Sequence, residues 1–124
     1  VLAVVAAGGA LGALARHGLA VAWPAVAGGF PWATLLTNLA GCLALGAVME
    51  LLAVLSAPHR LVRPFVGTGL LGGFTTFSAY AVETRELLAT GRPGLAAAYV
   101  VGTLVGALAA VWAGIIGVRA ARRT

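Results

Sequence analysis

The 124-residue chain is 61% hydrophobic and 9% charged, with eight basic residues, all arginine, and three acidic ones. A water-soluble domain carries about a quarter of its residues as charged side chains, so the composition excludes an ordinary soluble domain and a disordered tail. The single cysteine, Cys42, excludes an intrachain disulfide scaffold. What remains is an integral membrane protein. The net charge of +5 does not point to nucleic acid, because Arg16, Arg60, Arg63, Arg85 and Arg92 stand singly before Arg119, Arg122 and Arg123, and a phosphate groove needs a clustered basic face. Isolated arginines beside apolar runs mark membrane borders, where anionic headgroups attract them.

A bilayer core takes about 20 apolar residues per helix. The first apolar run, Val1–Ala15, continues past Arg16 and His17 to Ala22. It shows no small-x-small cleavage pattern, which argues against a signal peptide, and the missing initial Met points to a trimmed N-terminus. Further runs follow at Pro31–Met49, at Leu70–Val82 with a lead-in from Pro64, and at Gly94–Val118. Turn residues separate them: Trp23-Pro24 through Gly28-Gly29-Phe30-Pro31, then Ser56-Ala57-Pro58-His59-Arg60, then Thr90-Gly91-Arg92-Pro93-Gly94. The runs are apolar on every face, whereas barrel strands alternate with period two. This predicts an all-α membrane protein, one domain over 1–124 with four transmembrane helices at about 1–22, 31–55, 64–89 and 94–118, lodged in the plasma membrane. Arg60, Arg63, Arg119, Arg122 and Arg123 fall on one side and Arg85, Arg92 and Arg16 on the other, a weak orientation signal that leaves insertion in both directions open.

Small residues four apart let helix backbones approach closely in lipid, and Gly8/Gly12, Gly69/Gly73 and Gly102/Gly106 have that spacing. The third span places Gly72-Gly73 and Thr75-Thr76, all poor helix formers, at mid-membrane, which predicts a helix broken there. Irregular backbone at that depth is tolerated only where it is buried in protein or lines a cavity, and broken helices offer carbonyls and amides to ions.

Ser56, Ser78 and Cys42 fall at no catalytic spacing from His17 or His59, so the chain is not read as an enzyme. The informative residues are polar and uncharged. Asn38 lies inside the second span, with Thr34 one turn earlier on the same face and Thr37 adjacent. An amide in lipid is costly, and its role is either a helix–helix hydrogen bond or donation to an anion. Thr103 is a hydroxyl donor in the fourth span, unless it bonds its own helix. Phe77 and Tyr80, three apart, share a helix face that Glu83 extends towards the membrane boundary; such a pair by itself more often packs in a core, but aromatic rings also carry a positive edge against which a dehydrated anion can lie.

Three segments in order resemble the Fluc (CrcB) family of small fluoride channels: Gly8-Gly9-Ala10-Leu11-Gly12-Ala13-Leu14-Ala15-Arg16-His17, Ala33-Thr34-Leu35-Leu36-Thr37-Asn38-Leu39-Ala40-Gly41, and Gly69-Leu70-Leu71-Gly72-Gly73-Phe74-Thr75-Thr76-Phe77-Ser78. The resemblance covers essentially the whole chain. It implies passive, selective fluoride export that protects the cell, by an antiparallel homodimer with two pores. It also implies a central structural sodium ion held by backbone carbonyls that match Gly72 and Thr75. The pore asparagine matches Asn38, with Thr34 as its polar neighbour, and the aromatic box matches Phe77 and Tyr80. The hydroxyl track matches Ser78 and Thr103 and ends at Glu83, while Arg16 matches an arginine at the aqueous entrance. Conduction needs sites strong enough to replace water and weak enough to release the ion, and uncharged donors meet that demand.

The chain departs from the family pattern at Tyr80, Ala79, His17 and Ala33, where Phe, Thr, Tyr and Gly are usual. The Tyr80 hydroxyl either donates to fluoride or fills the pore. These departures keep open a heterodimer with a paralogous subunit, in which this chain is a half-pore or non-conducting partner. A proton-coupled multidrug transporter, another four-span architecture, wants a carboxylate in the first span, and Glu50, Glu83 and Glu86 all lie later.

Overall fold

A computed structural model describes residues 1–24, 26, 28–55 and 58–123. Among them are α1 (Leu2–Ala22), α2 (Trp32–Val54), a π-helical stretch (Arg63–Leu71), α3 (Gly72–Phe74), α4 (Ser78–Ala89) and α5 (Pro93–Arg122), with no strand. Taking Arg63–Ala89 as one span, four helices are long and apolar enough to cross a membrane. The chain is a multi-pass, all-helical membrane protein. Of the turn read over 56–60, Ser56 and Ala57 lie outside the described residues, as do Ala25 and Ala27 of the first loop.

The connections are short because their chemistry stops one helix and starts the next. Gly91, at φ +74°, takes the left-handed position after α4. There the Arg92 N–H donates to Leu87 O at 2.9 Å and the Gly91 N–H to Leu88 O at 3.2 Å, which satisfies carbonyls that the helix end would orphan. Pro93 then opens α5, where its missing N–H costs nothing. Gly28, at φ +72°, turns the first loop, and the exposed rings of Trp23 and Trp32 flank that loop as interfacial aromatics do.

Two glycine seams hold the bundle. On the first, Gly8 and Gly12 of α1 lie against Gly69, Leu70 and Phe74, while Gly69 and Gly73 lie against Val5, Gly8 and Gly9. Backbone meets backbone there, and a Cβ at Gly8 would come within 2.8 Å of Leu70 N. On the second, Gly46 of α2 faces the Val111 carbonyl and Gly114 of α5 faces Leu43 O and Ala47 N. The expected Gly102/Gly106 pair does not form such a seam: Gly102 has open space beside it, and Gly106 sits under the Leu39 side chain. Bidentate Arg119–Glu50 bonds of 2.9 and 3.3 Å join α5 to α2 at the C-terminal end of both helices.

The buried core is small. Leu35, Tyr80, Leu87, Ala96 and Tyr99 cluster between α2, α4 and α5, whereas Leu11, Leu14, Val105, Leu108 and Trp112 point outwards. An apolar exterior of this extent suits lipid and not water.

The third span breaks as expected, at a slightly different place. Gly72–Phe74 still forms one α-helical turn. The chain leaves the helix at Thr75 (φ −80°, ψ 156°) and re-enters it at Ser78.

Candidate functional site

The break is held by an amide from another helix. Asn38 Nδ2 donates to Thr76 O at 2.9 Å, and the Thr76 N–H donates to Asn38 Oδ1 at 2.8 Å. A primary amide is the one uncharged side chain that offers a donor and an acceptor side by side, so it replaces both helix bonds that Thr76 has lost. In lipid each such unpaired group would cost several kcal/mol. Gly41, one turn after Asn38, has no Cβ to meet the Thr75 methyl and the Phe74 ring, which lets α2 come close enough.

The same interception frees two carbonyls. In a continuous helix the Thr76 N–H would bond Gly72 O and the Ala79 N–H would bond Thr75 O. Here the first goes to Asn38, and the second goes to Thr76 Oγ1 at 3.2 Å. Among the described residues neither Gly72 O nor Thr75 O has a donor, and Gly72 is exposed. Two free backbone oxygens suit a hard, oxygen-seeking cation; the described residues hold no cluster of three His, Cys, Asp or Glu side chains for a softer metal.

On one side of the clamp lies a cavity of about 110 Å³ lined by Arg16, Thr34, Thr37, Thr76, Ala79 and Glu83, among others. Arg16 reaches it from α1, with its Nε donating to Gly73 O at 3.2 Å. Thr34 Oγ1 donates to Glu83 Oε1 at 2.6 Å, and the Tyr99 hydroxyl donates to Glu83 Oε2 at 3.3 Å. A guanidinium and a carboxylate thus share one small chamber.

On the other side is a groove of about 250 Å³, lined mainly by apolar atoms of Phe77, Tyr80, Leu104 and Ala107 together with Asn38, Cys42 and Thr103. Thr76 lines both spaces. The Phe77 ring is 77% exposed and lies 5.6 Å from the Tyr80 ring, at an interplanar angle of 55°. Tyr80 is only 8% exposed, and its hydroxyl donates to Val100 O on α5 at 3.1 Å. The proton of that hydroxyl is thus engaged by α5. Thr103 is 7% exposed, and its Oγ1, itself buried, has no hydrogen-bond partner among the described residues.

The residues singled out from sequence are therefore sorted into places. Arg16, Thr34 and Glu83 meet in the chamber, and Asn38, Phe77, Tyr80 and Thr103 line the groove. Glu83 follows Tyr80 on the face of α4 that meets Tyr99, and it accepts from Thr34 and Tyr99. Ser78, Thr103 and Glu83 do not line one wall, since Ser78 is exposed beside Thr76, 3.3 Å from its hydroxyl. Asn38 makes the interhelical hydrogen bonds of its first reading, to Thr76 of the third span, and it also lines the groove. The sequence reading missed Tyr99, which is fully buried between Phe30, Tyr80 and Glu83. Its place four residues before Thr103, on the same face of α5, was the available signal.

Comparison with known proteins places these residues in context. Residues 3–115 match the family model described as CrcB-like protein, Camphor Resistance (CrcB). The chain is 53% identical over 112 residues to "Fluoride-specific ion channel FluC 1" of Streptomyces coelicolor, covering 90% of this chain and 73% of that protein. It is 47% identical over 122 residues to "Fluoride-specific ion channel FluC 2" of Nocardia farcinica (98% and 85% covered). It is 49% identical over 111 residues to "Fluoride-specific ion channel FluC" of Paracoccus denitrificans (90% and 88% covered).

Proposed function

The chain belongs to the CrcB family, and from that premise we infer that it is a fluoride-specific ion channel, passing fluoride down its gradient out of the cell and so protecting the cell from fluoride. The observation that carries this reading is the Asn38–Thr76 clamp, set between a chamber containing a guanidinium and a groove of uncharged donors and ring edges.

Fluoride is small and strongly hydrated, so a path across lipid must replace its water in steps. Arg16 draws the anion into the chamber, while Glu83 in the same chamber keeps it from being held there. Because Glu83 already accepts from Thr34 and Tyr99, the ion gains those hydroxyl protons only by exchange. Asn38 spends one N–H on Thr76 O, and its second remains free to donate. Beyond it Thr103 and the edge of Phe77, which line the groove, continue the path. Each site is weak, which is what release requires.

Two copies in antiparallel arrangement complete the channel. The exposed Phe77 ring and the exposed Gly72 are the features such pairing would cover. Identical copies are favoured over a paralogous partner because this chain's own Asn38, Phe77 and Thr103 line one open groove. Gly72 and Thr75 of each copy would hold a sodium ion, whose charge offsets the cost of bringing an anion to the bilayer centre.

Purified protein in liposomes tests this. Fluoride efflux is expected with chloride efflux near background; equal passage of both anions would overturn the selectivity. Coexpression of two differently tagged copies is expected to give one complex containing both tags, and recovery of single-tag monomers would refute the pairing.

A further inference from the structure

Three threonines, Thr34, Thr37 and Thr76, line the chamber that Arg16 enters, and their hydroxyl protons are not equally available. Thr34 donates to Glu83 Oε1 at 2.6 Å. The Thr76 oxygen accepts from the Ala79 N–H at 3.2 Å and stands 3.3 Å from the Ser78 hydroxyl. Among the described residues nothing bonds the Thr37 hydroxyl. A threonine within a helix ordinarily donates to its own backbone one turn back, as Thr84 and Thr90 do at 2.8 and 2.9 Å, but Thr37, inside α2, does not. The residue is 6% exposed, yet its oxygen is not sealed off: among the described residues Thr103 Oγ1 is the one side-chain polar atom both shut away and unpartnered. The Thr37 oxygen therefore meets open space. Two spaces adjoin it, the chamber and an apolar cavity of about 210 Å³ walled by Leu19, Leu36 and Phe74, among others. A hydroxyl turned to an apolar wall recovers nothing of its lost hydration, whereas in the chamber it stands beside a guanidinium on the way of an anion.

We propose that Thr37 supplies the anion-binding hydroxyl of the chamber, so that fluoride entering beside Arg16 is held by the Thr37 O–H before it passes Thr76 towards Asn38. The proposal rests on the fluoride-channel reading and deepens it. Arg16 uses its Nε–H on Gly73 O and keeps its other N–H groups for the chamber. Thr37 follows Thr34 by three residues on the same face of α2 and directly precedes Asn38. Its proton is given without exchange, whereas the Thr34 proton must first leave Glu83. A neutral hydroxyl replaces one water of the ion's shell and adds no charge that would trap it. Fluoride accepts a hydrogen bond more strongly than chloride does, so a donor at this point favours the smaller anion.

The experiment measures fluoride efflux from liposomes carrying the full chain, with thermal unfolding in detergent followed for each protein. Thr37→Val keeps the branched shape and removes the hydroxyl, while Thr37→Ser keeps the hydroxyl and removes the methyl. Thr37→Val is expected to lower fluoride efflux at least about fivefold, and Thr37→Ser to stay within about twofold of the parent. Thr37→Val is also expected to unfold no earlier than the parent, since it removes a hydroxyl that has no partner in the fold. Efflux at the parent rate in Thr37→Val overturns the proposal and leaves the hydroxyl to the apolar cavity. An equal loss in Thr37→Val and Thr37→Ser also overturns it, because packing and not the hydroxyl is then what efflux needs. Should Thr37→Val fail to fold or unfold early, Thr37→Ala set against Thr37→Ser isolates the same oxygen. A loss confined to Thr37→Ala supports the proposal, and equal rates in that pair overturn it. A parent protein that passes no fluoride instead defeats the channel reading, before any variant is compared.

Discussion

Asn38 shows how one side chain can be both scaffold and lining. Its amide satisfies the N–H and the C=O of Thr76 at 2.8 and 2.9 Å and still has a proton to spare. Asn38→Asp keeps the acceptor but sets an anionic oxygen against Thr76 O and removes the donor. A loss above about 1.4 kcal/mol is a factor of ten in rate, and a charged, mispaired group at this depth exceeds that. Fluoride efflux from liposomes is therefore expected to fall at least about tenfold, with earlier thermal unfolding in detergent. Tyr80 behaves differently, because its hydroxyl serves packing. Tyr80→Phe loses only the bond to Val100 O, which predicts a stability decrease of about 1 kcal/mol, measurable by unfolding in micelles. Asn38 was legible in the sequence as an amide inside an apolar run. Its partner was not, since Thr76 lies 38 residues away and is named only by the fold. For the same reason, sequence left open whether the Tyr80 oxygen faced the path.

Among the elements, the glycine spacing read from sequence marked the first seam correctly and misplaced the second. Gly8/Gly12 and Gly69/Gly73 mesh with each other, whereas on α5 the contact is made by Gly114 against α2 and not by Gly102. Spacing identifies small residues on one face but does not say which face meets a neighbour. Gly12→Ala would place a methyl against the Leu70 carbonyl and is expected to cost about 1–3 kcal/mol. Gly102→Ala meets nothing within 4 Å and is expected to stay within about 0.5 kcal/mol of the parent. Thermal unfolding of the two variants side by side checks the pair. The π-helical winding of Arg63–Leu71 was invisible beforehand. Only the Gly72 N–H donating to Gly67 O, five residues back, reveals it, and no hydrophobic period announces such a shift. The break itself was legible from Gly-Gly followed by Thr-Thr, although the chain leaves the helix at Thr75 and not at the glycines.

For the molecule as a whole, the bilayer does what a core does elsewhere. Only a few apolar side chains are buried, so cohesion comes from backbone contact at glycine seams and from polar pairs that lipid leaves without alternatives. If the free carbonyls of Gly72 and Thr75 hold the proposed sodium ion, fluoride passage depends on that cation. Replacing sodium with a bulky organic cation throughout purification and assay is expected to lower fluoride efflux several-fold, and returning sodium is expected to restore it. Undiminished efflux would argue that the carbonyls serve another purpose. Orientation is testable at the same scale. The basic residues are divided between both ends of the bundle, and a terminal tag on the full chain is expected to be protease-accessible from both faces of the membrane.

Composition and pattern alone determined that the chain lives in lipid, that it crosses four times, and that its third crossing is interrupted, because these follow from how much apolar surface and how many poor helix formers a segment carries. Tertiary structure alone decided which polar groups share a chamber and which line the groove. It alone showed that two carbonyls are left free because Asn38 and the Thr76 hydroxyl have taken their donors. Hydrogen bonds of a few ångströms between distant segments depend on how the helices are rotated and offset against one another, and that is settled by backbone packing rather than by the order of residues along any one helix.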